Sequence, residues 1–279
     1  MPIFIRNLHL EFLTDKGTLI SERMVEMYGK ARWRLANGGY YPVFTMSSGV
    51  EFIFKTIQDG QNPRVVGTDT HYAGRCIWNG LPFMDITPKD ADCLSMVLAF
   101  TNIAQDGVYI AHMMNAAVLP SIREGQSIAM QMVAFPLSIA VYGSREAYER
   151  SATSHTPDAG EPLILLDGKA FPLNFMLKHD PDKPVDKNDS NLKDDIVLLC
   201  GSVLSVEKRL HQEPGQDDTG FMVATIATQF GHLDVVFTAQ MIGEAACQKG
   251  FYIVFSGILS GNVAIEGYEN WIDSPALTD

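Results

Sequence analysis

The sequence predicts a mainly β protein with a minor α-helical part. Three observations carry that prediction. Only one long run keeps helical spacing: from Ser21, Met24, Val25, Tyr28, Ala31 and Leu35 recur on one face until Gly38-Gly39. Most of the remaining chain is short apolar segments punctuated by Gly and Pro, the grammar of strands and turns. Two long apolar stretches, Ser127 to Tyr142 and Gly250 to Ile265, contain Gln131, Pro136, Ser256, Gly257, Ser260, Gly261 and Asn262. A membrane helix needs about 20 predominantly apolar residues, so both stretches read as strands.

Taken in order, Met1 to Leu13 alternates Leu8, Leu10 and Phe12 with Asn7, His9 and Glu11, the period of a half-buried strand. The same segment places charged residues where a secretory leader needs an apolar core, so a cytoplasmic location is the default expectation. The helix from Ser21 follows, with Arg23, Lys30, Arg32 and Arg34 on its polar side. Residues 1–34 hold 6 Lys+Arg against 4 Asp+Glu, although the whole chain of 279 residues has a formal charge of -12. Strands are then expected at Val50–Ile57, Arg64–Gly67 and Arg75–Trp78, followed by a polar run from Asp85 to Asp92. Ser144–Arg150 reads as a short helix. Lys178–Asp195, with four Lys, six Asp, Pro181 and Pro184, reads as a solvated linker. The expected organisation is a first unit over 1–150, a Pro/Asp/Lys-rich linker over 151–194 and a second unit over 195–279.

An internal repeat sharpens the fold. Met96-Val97-Leu98-Ala99-Phe100-Thr101, Gly107 and Gly125 have counterparts in Met222-Val223-Ala224-Thr225-Ile226-Ala227, Gly231 and Gly250, at offsets of 126, 124 and 125 residues. The later copy is preceded by a long strand from Ile196 and a polar loop, Glu207 to Asp218. Over about 195–266, and more weakly over 75–142, this order resembles that of oligonucleotide/oligosaccharide-binding (OB) barrels, five-stranded Greek-key barrels. The resemblance implies two OB-like β-barrels packed together, α+β overall, beside an N-terminal strand-helix element.

That resemblance also brings a nucleic-acid reading, which the residues oppose. Binding a single strand takes a cationic groove and stacking aromatics. Between Leu94 and Tyr142 the only Lys or Arg is Arg123, and between Thr219 and Ile265 it is Lys249. Strands so poor in charge need a second surface to bury. The expectation is a homo-oligomer or protein partner met through apolar barrel strands, or cover from the N-terminal helix, with no membrane partner.

The best cluster of chemically capable side chains is Gly67 to Asn79. Asp69 and His71 lie two apart and share a strand face. Tyr72, Arg75 and Trp78 complete a candidate binding set, and Cys76 is the candidate reactive thiol, with His71 its base and Asp69 orienting the imidazole in an enzyme reading. The competing reading makes these residues turn caps and packing. The leading expectation is a binding or assembly protein with no assigned catalytic residue, no cofactor and no metal. Asp85, Asp90 and Asp92 lack the glycine and terminal Glu of a calcium loop. Cys76, Cys93, Cys200 and Cys247 form no C-x-x-C pair, no H-x-x-x-H pair occurs, and the phosphate-loop and nucleophile-elbow signatures are absent.

Overall fold

A computed structural model describes residues 3–15, 18–36, 39–59, 62–87, 94, 96–115, 126–154, 170–172, 195–212, 219–243, 245–263 and 271–272. Asp90, Asp92, Cys93, Pro120, Gly125 and nearly all of the expected linker therefore lie outside the described residues. No helix among the described residues is long and apolar enough to cross a membrane.

The N-terminal segment is a correction to the strand expected there. Ile3–Asn7 forms a short helix, α1, and Glu11–Leu13 a single 3-10 turn. Ile5, Leu8, Leu10 and Leu13 are all buried, and the three-residue steps Ile5–Leu8 and Leu10–Leu13 supersede the alternation. Asn7 is buried as well, because its Nδ2 donates to the carbonyls of Pro136 (2.9 Å) and Val236 (3.0 Å). A two-residue ribbon, β1 (Thr14–Asp15) and β2 (Thr18–Leu19), leads into α2 (Ser21–Gly29).

The second correction concerns where α2 stops. The chain leaves the helix at Gly29, a poor helix former, and Arg32–Ala36 becomes β3. Trp33 is 5% exposed and meets Tyr28 edge to face at 5.3 Å, burial that a continued helix would not give it. On α2, Glu26 binds both Arg23 (3.2 Å) and Lys30 (2.8 Å), so the basic side of the helix is largely neutralised within itself.

A five-stranded sheet follows: β3, β4 (Gly39–Thr45), β5 (Val50–Asp59) and β6 (Asn62–Tyr72), with β16 (Trp271–Ile272) on the outer edge of β3. One face of β5 and β6 is apolar, with Val50, Phe52, Phe54 and Tyr72 in a core shared with Leu8, Leu10, Val133, Phe135, Phe221 and Val236. The opposite face carries Glu51, Ile53 and Lys55 beside Asp69 and His71.

The larger sheet has nine strands: β7 (Ile77–Asp85), β8 (Val97–Asn102), β9 (Val108–Met113), β10 (Ile128–Tyr142), β11 (Phe171–Pro172), β12 (Ile196–Leu210), β13 (Gly220–Thr228), β14 (Gly231–Phe237) and β15 (Tyr252–Val263). Helix α3 (Arg145–Ser154) follows β10, and α4 (Ala239–Ile242) follows β14. Strand pairings close two rings. One runs β7-β8-β9-β15-β10 and returns to β7; the other runs β12-β13-β14-β10-β15 and returns to β12. Strands β10 and β15 belong to both, and each ring takes one of them from the other side of residues 151–194.

The two rings are related about one ladder position. Val133 of β10 pairs with Ser260 of β15; Val133 also pairs in parallel with Asp234 of β14, and Ser260 in parallel with His112 of β9. The main core fills both rings with Trp78, Phe100, Tyr109, Met130, Met132, Phe237, Phe255 and Leu259. The apolar strands are thus covered by each other, by α1 and by the smaller sheet.

Candidate functional site

A cleft of about 380 Å³ opens where the two sheets meet. Its walls are the β4–β5 turn (Ser47, Ser48, Gly49), the β6–β7 connection (Tyr72 to Ile77), and three strands of the larger sheet. Those strands supply Glu207 and Arg209 from β12, Val223 and Thr225 from β13, and His232 and Asp234 from β14.

The alternation along β13 and β14 explains which side chains reach the cleft. Ala224, Ile226, Leu233 and Val235 face the interior of the ring, so Val223, Thr225 and Asp234 point outward. Asp234 is 5% exposed. Its Oδ1 accepts hydrogen bonds from Thr225 Oγ1 (2.8 Å) and Cys76 Sγ (3.3 Å), and its Oδ2 accepts one from the backbone N–H of Arg75 (3.1 Å). A Cβ on Gly74 would lie 2.3 Å from Asp234 Oδ2 and 3.0 Å from Gln131 Nε2. Residue 74 must lack a side chain for that carboxylate to sit there.

The turn that forms the upper wall is equally specific. Gly49 has a φ of +88°, the left-handed region that glycine occupies without penalty, and lets the Tyr72 ring approach. Ala73 N–H then donates to Gly49 O at 2.8 Å, joining the two segments of the wall. Arg209 Nη2 binds Glu207 Oε2 at 2.6 Å, and its guanidinium also reaches the Tyr72 hydroxyl. Burial raises the Tyr72 pKa, and Arg209 opposes the rise. Arg209 Nε is buried without a hydrogen-bond partner.

The residues singled out from the sequence divide between this cleft and its surroundings. Tyr72, Arg75 and Cys76 line it. Trp78 belongs to the core, 1% exposed, with Nε1 donating to the His232 carbonyl at 2.7 Å. Asp69 forms an ion pair with the buried Lys55. His71 is completely buried; its Nδ1 meets Ser260 Oγ at 2.7 Å and its Nε2 meets Gln131 Oε1. Asp69 and His71 do share a sheet face, yet both imidazole nitrogens are engaged by residues other than Cys76 and Asp69.

Chemistry follows from these surroundings. Burial, then the neighbouring Asp234 charge and its hydrogen bond, push the Cys76 thiol up to about 12. A thiol held in that form is a poor nucleophile at neutral pH. Burial lowers His71 to about 4, so its imidazole is neutral at pH 7. Among the described residues no group of three or more His, Cys, Asp or Glu side chains is arranged to hold a metal ion. Asp85 caps its own turn, accepting from Thr87 N–H at 2.9 Å.

Sequence reading missed Asp234, Thr225, His232, Glu207 and Arg209 as members of one site. One signal was present: Asp234 is the only acid in Gly231–Phe237, a strand in which only it and His232 are polar. Comparison with protein-family models, with curated proteins and with solved structures finds no match to this chain.

Proposed function

We propose that this is a non-catalytic binding protein that holds a small polar molecule in the cleft between its two sheets. The observation that carries the reading is the convergence of Tyr72, Arg75, Glu207, Arg209, Thr225 and Asp234, drawn from both sheets, on one cavity. Its volume falls in the range of small-molecule sites, roughly 300 to 1,000 Å³.

The OB-like reading of the two rings supports the same conclusion. Each ring has five strands, and counting from β12 the cleft lies over the first three, so it includes the second and third, β13 and β14. OB barrels bind their ligands on the face of strands two and three. A nucleic-acid ligand is disfavoured because the two lining arginines, Arg75 and Arg209, are equalled in number by the acids Glu207 and Asp234, which leaves no cationic groove. Cys76 and His71 serve as structural supports here rather than as a catalytic pair.

The test is a thermal-shift screen of the chain against polar metabolites below roughly 350 Da, in parallel with Ser47→Trp. Ser47 is exposed at the rim, so the indole obstructs the mouth without burying new polar groups. At a ligand concentration 100 times Kd, binding adds about 2.7 kcal/mol, a shift of several degrees. The expected result is a shift in the wild type that Ser47→Trp abolishes. No shift from any compound, or shifts that Ser47→Trp leaves intact, would overturn the reading.

A further inference from the structure

We infer that the ligand is a small zwitterion, of amino-acid or short-peptide type, with its ammonium on Asp234 and its carboxylate toward Arg75 and Arg209. The inference rests on the cleft being a binding site and goes on to name what it binds.

The charges inside the cleft are left open in a particular way. Arg209 and Glu207 are already closed on each other. Asp234 is nearly buried, and its three donors, a hydroxyl, a thiol and a backbone N–H, are all neutral. Among the described residues no Lys, Arg or His forms an ion pair with it. A buried carboxylate with only neutral partners leaves a favourable place for a cation. Arg75 is exposed, lines the same cleft, and forms no ion pair among the described residues. Arg209 Nε adds a buried donor that lacks an acceptor. Asp234 is therefore the nearly buried charge of the cleft, and the cationic residues Arg75 and Arg209 are the more exposed ones. A ligand that completes both ends carries its positive group inward and its negative group outward, and no net charge.

The ladder-equivalent position in the other ring sharpens the contrast. His112, paired with Ser260 as Asp234 is with Val133, is held by Asp195 of the same chain. That position has a charged partner within the chain, and among the described residues Asp234 has only neutral ones.

Isothermal titration with L-alanyl-L-alanine, its N-acetyl form and its C-terminal amide tests the assignment. The free dipeptide is expected to bind. Acetylation, which removes the ammonium, should weaken binding roughly 30-fold, and amidation at the more exposed end by about fivefold. Asp234→Asn should erase the discrimination against the acetyl form, and Arg75→Ala that against the amide. Arg75 donates to Asp234 only through its backbone, so Arg75→Ala removes no hydrogen bond of the fold. If Asp234→Asn melts early, the Arg75→Ala comparison and the three wild-type titrations still decide. Equal affinity for free and acetylated dipeptide, or discrimination that survives both substitutions, would overturn the inference. If the dipeptide fails to bind but another compound gives a shift that Ser47→Trp abolishes, the zwitterion is wrong and the cleft reading stands.

Discussion

His71 makes the stability of this protein fall between pH 6.5 and pH 4. Its imidazole is fully buried, with Nε2 donating to Gln131 Oε1 and Nδ1 accepting from Ser260 Oγ, and burial lowers its pKa from 6.5 to about 4. A protonated ring has to be accommodated in that site without solvent. The unfolded chain takes up a proton near pH 6.5, whereas the folded chain resists it until about pH 4. Its contribution is therefore fully present above pH 6.5 and is lost as the pH falls through about 4. At 1.36 kcal/mol per unit, a shift of about 2.5 units is worth about 3 kcal/mol, of which about 2 kcal/mol is gone by pH 5.

Urea unfolding followed by tryptophan fluorescence at pH 7, 5 and 4 measures this directly when His71→Gln is run beside the wild type. The variant costs stability at every pH, and the informative quantity is the difference in slope. Wild type should lose about 3 kcal/mol more than His71→Gln between pH 7 and pH 4. Surface carboxylates such as Glu26 and Glu146, whose pKa values are lowered, titrate in both proteins and cancel in the comparison. Equal slopes, or a His71 resonance that titrates near 6.5, would refute the argument.

Two other consequences are open to measurement. Gly74→Ala puts a Cβ 2.3 Å from Asp234 Oδ2 and should cost about 2 to 4 kcal/mol. Gly29→Ala, with nothing within 4 Å, should instead stabilise α2 by up to about 1 kcal/mol; melting curves that rank the two variants the other way contradict the geometry. Cys76 should react with iodoacetamide at pH 8 roughly a thousandfold more slowly than an unfolded cysteine, because its thiolate fraction falls with a pKa of about 12 against 9. Stability from this thiol is present below pH 9 and is lost as pH rises through 12. Asp234→Asn should lower that pKa only in part, since burial is its largest cause. Rapid labelling of native Cys76 at pH 8 would show that the carboxylate and thiol are not arranged as described.

Much of the larger sheet was legible because its strands are long and apolar, and burial overrides every local preference there. The hairpins of the repeat, β8–β9 and β13–β14, even explain the drift in offset. Four residues, Ile103 to Asp106, separate Asn102 from Gly107, whose carbonyl accepts from the Asn102 N–H, and two, Gln229 and Phe230, separate the paired Thr228 and Gly231, so the offset drops from 126 to 124. The end of α2 was not legible, because a helical run of apolar residues continues through Ala31 and Leu35, and only the packing of Trp33 on Tyr28 selects a strand. Nor was the site. Tyr72, Arg75 and Cys76 stood out as a local cluster, but Asp234 lies about 160 residues away and reaches them only because β14 pairs in parallel with β10.

The cleft owes its existence to asymmetry between the two rings rather than to the repeat. Both rings present a polar residue at the parallel pairing beside Val133 and Ser260, namely Asp234 in one and His112 in the other. Asp195, at the entry to β12, closes on His112. The smaller sheet touches both rings: His71 meets Ser260 and Glu51 accepts from Asn262 on one side, and on the other the sheet and the β6–β7 connection supply Ser47 to Gly49 and Tyr72 to Ile77, which wall in Asp234. A symmetric pair of rings would bury two equivalent strand faces against water or each other. Laid against the outward face of β13 and β14, the smaller sheet converts that face into an enclosed space around a carboxylate that, among the described residues, no cation pairs with. The enclosed space thus arises where the smaller sheet meets the outward face of β13 and β14.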